Sequence, residues 1–239
     1  MDSYPLLPAF ILFLGAFTQS MTGFGSALVA MAVLPSLLGL PTAAPIVAGI
    51  GLALESMLTL RYRQALRIDS IWRLLAASLI AAPFGVLIVR HIDERIALFI
   101  LGLLLAVYSL YALFGFRLPD LAHPLWPWVT GALSGLLGGA YNTAGPPIVV
   151  YGNCRKWDAA EFKSNLSSFF VINSLFVVGS HYFNGSFTAD TIHTLLLCLP
   201  ATILGFVLGQ SMDRWLDPQR FRKVVLFLLV ILGARLMIG

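Results

Sequence analysis

Uncharged stretches about as long as a bilayer is thick recur along this chain, and no other feature limits its fold as much. Residues 96–115, "IALFILGLLLAVYSLYALFG", carry no charge at all. A helix needs roughly 20 mostly apolar residues to cross the hydrocarbon core. Six stretches meet that need: about 43–60, 71–90, 96–115, 163–182, 191–210 and 221–238. Composition agrees. Of 239 residues, 59% are hydrophobic and 11% charged, against about 25% charged in a soluble domain. The expectation is an all-α integral membrane protein, with residues 1–239 forming a single transmembrane domain in contact with the lipid bilayer. The net charge of +4 comes from basic residues in loops. There they set orientation and make no stripe for nucleic acid. Cys154 and Cys198 are too few for a disulfide framework or a metal set, so they read as packing residues. The apolar run Met1–Phe17 has no basic residue before it, which favours part of the mature fold over a signal peptide.

Two segments depart from the span pattern. Residues 6–40 are too long for one crossing and short for two, and residues 126–152 are interrupted by "GGAYNTAGPP" (Gly138–Pro147). "GAFTQSMTG" (Gly15–Gly23) lies over "GALSGLLGG" (Gly131–Gly139) without a gap. "GVLIVRHID" (Gly85–Asp93) lies over "GFVLGQSMD" (Gly205–Asp213), with Gly and Asp at matching ends. These matches predict an internal repeat, 6–118 and 125–239. Basic residues decide its direction, because cytoplasmic loops collect Lys and Arg. If each broken segment is a re-entrant or broken helical hairpin followed by three transmembrane helices, the halves have inverted topology. One side then holds Arg61, Arg63, Arg67, Arg73, Arg117, Arg155, Lys156, Lys163, Arg214, Arg220, Arg222 and Lys223, and the other holds Arg90, Arg95 and Arg235. Single crossings give almost no bias. The hairpin arrangement therefore predicts both termini outside, on the periplasmic side of a bacterial inner (cytoplasmic) membrane.

Irregular backbone within a bilayer survives only where protein buries it or it lines a cavity. Broken segments at matching places in inverted halves point to a binding site near the midplane. At the second break, Gly139, Tyr141, Asn142, Thr143 and Gly145 precede a helix opened by Pro146 and Pro147. Both prolines suit the first turn of a helix. That turn offers unpaired N–H groups and the positive end of a helix dipole. The first break carries Gln19, Thr22, Gly23, Phe24, Gly25 and Ser26, with Ser26 expected to cap the helix "ALVAMAVL". Two such ends meeting at the midplane suit a small anion. Lys163 and Asn165 at the start of the next span are added to the candidate anion-binding set, although a lysine there also snorkels readily. Asn173 and Phe170 lie farther along the same span. Glu55 is the acid deepest in a span, so it is the candidate for proton coupling, with structural pairing as the alternative. His181 and His193 lie near span ends, where packing accounts for them.

"GALSGLLGGAYNTAGPPIVVYGNCRKWDAAEFKSNL" closely resembles the second-half signature of the TauE/SafE family of sulfite and organosulfonate exporters, also called the toluene sulfonate uptake permease family. "GAFTQSMTGFGSALVAMAVLPSLLGL" resembles the first-half signature, so the resemblance covers essentially the whole chain. It implies an inner-membrane transporter of small sulfur oxyanions or sulfonates, such as sulfite, thiosulfate or sulfoacetate. Two details depart from many members. Gly23-Phe24-Gly25 is followed by Ser26-Ala27 where three glycines are common, and the basic position of the next span is Lys163. An anion channel and a carrier of another small anion, such as a carboxylate, remain alternatives. A membrane-embedded enzyme is disfavoured because no nucleophile–base set, paired carboxylates within a span or metal motif is present. No cofactor is expected. A homodimer is one of the oligomeric states the sequence allows.

Overall fold

The computed structural model describes residues 6–62, 68–115, 120–212 and 217–238. All regular structure among them is helical: α1 (Leu6–Thr22), α2 (Ser26–Met31), α3 (Leu34–Leu38), α4 (Leu40–Tyr62), α5 (Ile68–His91), α6 (Glu94–Phe114), α7 (Trp126–Tyr141), α8 (Gly145–Cys154), α9 (Ala159–Phe183), α10 (Ala189–Met212) and α11 (Pro218–Ile238). Five of these, α4, α5, α6, α9 and α10, are long and apolar enough to cross a membrane. The sixth expected span, α11, is equally long but carries Arg222, Lys223 and Arg235. With Arg220 it has four basic residues, which sets it apart from the other five. The two irregular segments form pairs of shorter helices, α1 with α2–α3 and α7 with α8. At 1.5 Å per residue, α1 and α7 reach about 25 Å, short of the roughly 30 Å hydrocarbon core.

The helix boundaries follow from local chemistry. Asp93 accepts the Arg95 N–H at the start of α6, and Asp158 accepts the Ala160 and Glu161 N–H groups at the start of α9. Each satisfies donors that the first turn leaves unpaired. Gly115 closes α6 in the left-handed region, φ 63°, where a residue without Cβ is favoured.

Packing pairs helices from the two halves. The principal pairings are α5 with α7, α1 with α10, α6 with α11 and α4 with α9. Exchanging the halves turns the first pairing into the second and leaves the other two unchanged. Gly131, Gly135 and Gly139 set α7 directly against the α5 backbone at Leu74, Ser78 and Ala82, in ascending order. The two helices therefore run parallel, and small residues allow the close approach. Gly205 and Gly209 do the same for α10 against Phe13 and Phe17 of α1. Of the five long helices, α4 is the most deeply buried, with Ile46, Ile50, Leu54 and Leu58 all in the core.

Two ends of the bundle can be told apart. At one, Arg155 after α8 pairs with Asp120 before α7 at 3.0 Å, so the segments flanking α7–α8 lie together. Arg61 at the end of α4 bonds Gln210 near the end of α10 on the same side, and Lys163 lies over the Tyr62 ring. At the other end, the Glu94 carboxylate accepts the Leu40 N–H at 2.7 Å. Of the basic residues used to orient the chain, Arg63, Arg67, Arg117 and Arg214 lie outside the described residues, as does the side chain of Arg90.

Candidate functional site

At the first break, Gly23 and Gly25 take φ values of 86° and 108°, a backbone that side chains resist. The Thr22 hydroxyl is held between the carbonyls of Thr18 and Phe24. One expectation is corrected here. Ser26 is not the cap of α2; Gly25 occupies that position without a side-chain bond, because the chain enters the helix through the left-handed region. The Ser26 hydroxyl donates instead to Oε1 of Gln19. That leaves the Gln19 Nε2 group as a buried donor. The expected helix "ALVAMAVL" is also broken at Ala32-Val33, with Pro35 opening α3.

At the second break, Asn142 ends α7 in the left-handed region, φ 56°. Its side-chain nitrogen donates to the Ala44 carbonyl of α4 at 2.8 Å, so part of its donor capacity is spent on anchoring the tip. α8 begins at Gly145, with Pro146 and Pro147 in its first turn. The two prolines remove two of the four N–H groups that a helix start leaves unpaired. This end therefore presents fewer backbone donors than a helix without prolines. Thr143 is 1% exposed, and its hydroxyl has no hydrogen-bond partner.

The two breaks meet. A cavity of about 30 Å³ lies between them and is closed laterally by α4 and α9. Of the residues singled out from sequence, it brings together Gln19, Phe24, Gly25, Ser26, Asn142, Thr143, Gly145 and Glu55. Glu55 is the one ionisable side chain lining it among the described residues, with one carboxylate oxygen, Oε2, unpartnered. Sequence reasoning did not single out Ser174, which faces Glu55 from α9, nor assign Asn173 to the site. Asn173 accepts the Ser78 hydroxyl at Oδ1, 2.8 Å away, and so turns its Nδ2 donor toward Gly138 and the cavity. The available signal was helical spacing: Phe170, Asn173, Ser174 and Val177 fall on one face of α9.

The remaining candidates sit elsewhere. Thr22 belongs to a smaller void beside the first tip. Gly139 is pressed on the Ala82 carbonyl of α5. Tyr141, Pro146 and Asn165 are buried outside the cavity lining. Lys163 lies against Gly23, its Cγ 3.2 Å from where a Cβ there would stand. A second cation, Arg222 of α11, lies over the Phe24 ring at 5.4 Å. The sequence marked Arg222 only as a loop charge.

Interrupted helices from both halves of a membrane-spanning bundle, meeting around a buried polar cavity, are the build of a solute transporter. The family described as sulfite exporter TauE/SafE matches residues 8–236, and the chain belongs to it. It is 26% identical over 236 residues to the probable sulfite/organosulfonate exporter TauE of Cupriavidus necator, covering 94% of this chain and 90% of that protein. It is 27% identical over 173 residues to the probable inner membrane transporter protein TsaS of Comamonas testosteroni, covering 69% and 72% of the two chains. No solved structure matches.

Proposed function

We propose that this protein carries small sulfur-containing anions (sulfite, thiosulfate or an organosulfonate such as sulfoacetate) across a bacterial inner membrane, and that the anion binds between the two helix breaks. The observation that carries the reading is the meeting of both breaks in one cavity whose walls offer donors: the Thr143 hydroxyl, Gln19 Nε2 and Asn173 Nδ2. The sulfur chemistry is supported by the family, sulfite exporter TauE/SafE, and by the relative named as a probable sulfite/organosulfonate exporter.

The halves, 6–118 and 125–239, are taken as inverted repeats, each a re-entrant hairpin plus three crossings. Three observations support this. The helix pairings are unchanged when the halves are exchanged. The Arg155–Asp120 pair brings both ends of one hairpin together. Glu55 and Ser174 face each other at equivalent places, 174 − 55 = 119 residues apart, close to the offsets of 116 and 120 in the sequence matches. Each hairpin then starts a half-helix in mid-membrane, and Glu55 sits near the symmetry axis beside the bound anion, where it serves proton coupling.

The test is binding. Removing a hydrogen bond to a charged group costs about 1.5–3 kcal/mol, roughly tenfold to a hundredfold in affinity. Thr143→Val keeps the shape and loses the hydroxyl, so sulfite and thiosulfate affinity, measured calorimetrically on purified protein, should fall by that factor. Gly145→Ala adds a methyl beside the exposed N–H and should weaken both anions as well. Unchanged affinity in both variants would place the anion elsewhere. Tighter binding of a short carboxylate than of either sulfur anion would favour a carboxylate carrier.

A further inference from the structure

Phe24, Gly25 and Leu28 wall two spaces at once. On one side is the central cavity. On the other is a void of about 20 Å³ completed by Thr18, Thr22 and Arg222, among others. We propose that Arg222 is a second oxyanion station on that far side, and that the Phe24 ring is the gate between the two. The inference rests on the reading of the central cavity as an anion site.

Among the described residues, no carboxylate pairs with Arg222. A guanidinium stays protonated and carries five donors. Here Nε is buried with no hydrogen-bond partner. Its neighbours include the Phe24 ring at 5.4 Å and the Tyr108 hydroxyl of α6. No carboxylate lines the void among the described residues. Arg222 is half-buried, and a ring face offsets only part of the cost of drawing a cation partly out of water. A small oxyanion supplies what is missing, since the planar fork matches two oxygens of a sulfite-like group.

The gate follows from what touches Phe24. One face of the ring receives Arg222, and its edge lies 3.8 Å from the position of a Cβ on Gly145, at the start of α8. The ring therefore seals the central cavity at the second tip and roofs the Arg222 void at the same time. As it stands the void holds about one water. A turn of the Phe24 side chain joins the two spaces and hands an anion from the guanidinium to the donors around Thr143. Lys163 flanks the same tip at Gly23, but its ammonium lies over the Tyr62 ring at 5.5 Å. That leaves Arg222 as the cation next to the gate.

The experiment uses inverted membrane vesicles, radiolabelled sulfite added to the exposed cytoplasmic face, and calorimetric binding on the same variants. Arg222→Gln should raise the half-saturating sulfite concentration for entry about tenfold, while equilibrium affinity stays within about threefold of the parent. Arg222→Lys should recover part of the loss. Phe24→Ala should let sulfite run down its gradient with no driving ion. An unchanged half-saturation in Arg222→Gln overturns the proposal, as does an equal loss of equilibrium affinity. If Arg222→Gln fails to reach the membrane, a tight seal in Phe24→Ala is the overturning result. Chloride competing with sulfite entry in the parent but not in Arg222→Gln would make the station a halide site, against the proposal. Failure of the central-site reading is seen separately, as unchanged equilibrium affinity in Thr143→Val.

Discussion

Glu55 shares a cavity of about 30 Å³ with the donors proposed to hold the anion. An ionised carboxylate about 5 Å from a bound anion costs roughly 3 kcal/mol at an effective dielectric of about 20. Binding therefore favours the protonated carboxyl, and affinity falls as pH rises through its titration. The lining around it offers no other ionisable side chain among the described residues, so one group carries the effect. Thiosulfate is the suitable probe, because it does not itself titrate near neutrality. Its affinity should drop at least tenfold from acidic to alkaline pH in the parent and stay flat in Glu55→Gln. In that variant, pH-driven accumulation should also disappear. A pH dependence that survives the substitution would leave Glu55 a structural role with Ser174. Arg222 shows why some site residues escape sequence reading. A basic residue one turn into a helix looks the same whether it marks a loop or faces a void, and its neighbours Phe24 and Tyr108 come from distant segments. Thr143 and Gly145 could be found because glycine and proline break the apolar pattern beside them.

Helix pairing rests on glycine. Ser78 O and Cα of α5 stand so close to Gly135 of α7 that a Cβ there would fall 2.7 Å from the Cα. The obstacle is backbone, so the helices must separate to admit a methyl group. Overpacking of this kind costs about 1–3 kcal/mol. Gly135→Ala should lower the thermal midpoint of purified protein accordingly. Gly179→Ala on α9, where nothing lies within 4 Å, should stay within about 0.5 kcal/mol of the parent. Equal midpoints for the two variants would mean that the α5–α7 contact does not hold the bundle. The five long apolar helices, α4, α5, α6, α9 and α10, were readable because length and hydropathy alone define them. The split between α2 and α3 was not assigned, although Pro35 marked it. The anchoring of Asn142 was not legible, because the Ala44 carbonyl that accepts from its amide comes from α4. No pattern within the motif itself announces that partner.

For the whole molecule, the inverted arrangement makes a demand that a simple set of crossings does not. If α7 and α8 together cross once, His123 before α7 and Lys156 after α8 lie on opposite faces. If they form a re-entrant hairpin, both lie on the same face, as the Arg155–Asp120 pair favours. On the proposed orientation, in which the Lys- and Arg-rich side is cytoplasmic, that end faces the cytoplasm. Both positions are exposed, as are His91 and Asn184 at the opposite end. Single cysteines at the four sites, in a background with Cys154 and Cys198 replaced by alanine, give a direct reading in intact spheroplasts. An impermeant thiol reagent added outside should label His91→Cys and Asn184→Cys and spare His123→Cys and Lys156→Cys, until the membrane is opened. Labelling of only one of the latter pair would mean that the hairpin crosses, that the halves are not inverted, and that the two breaks do not approach the cavity from opposite sides.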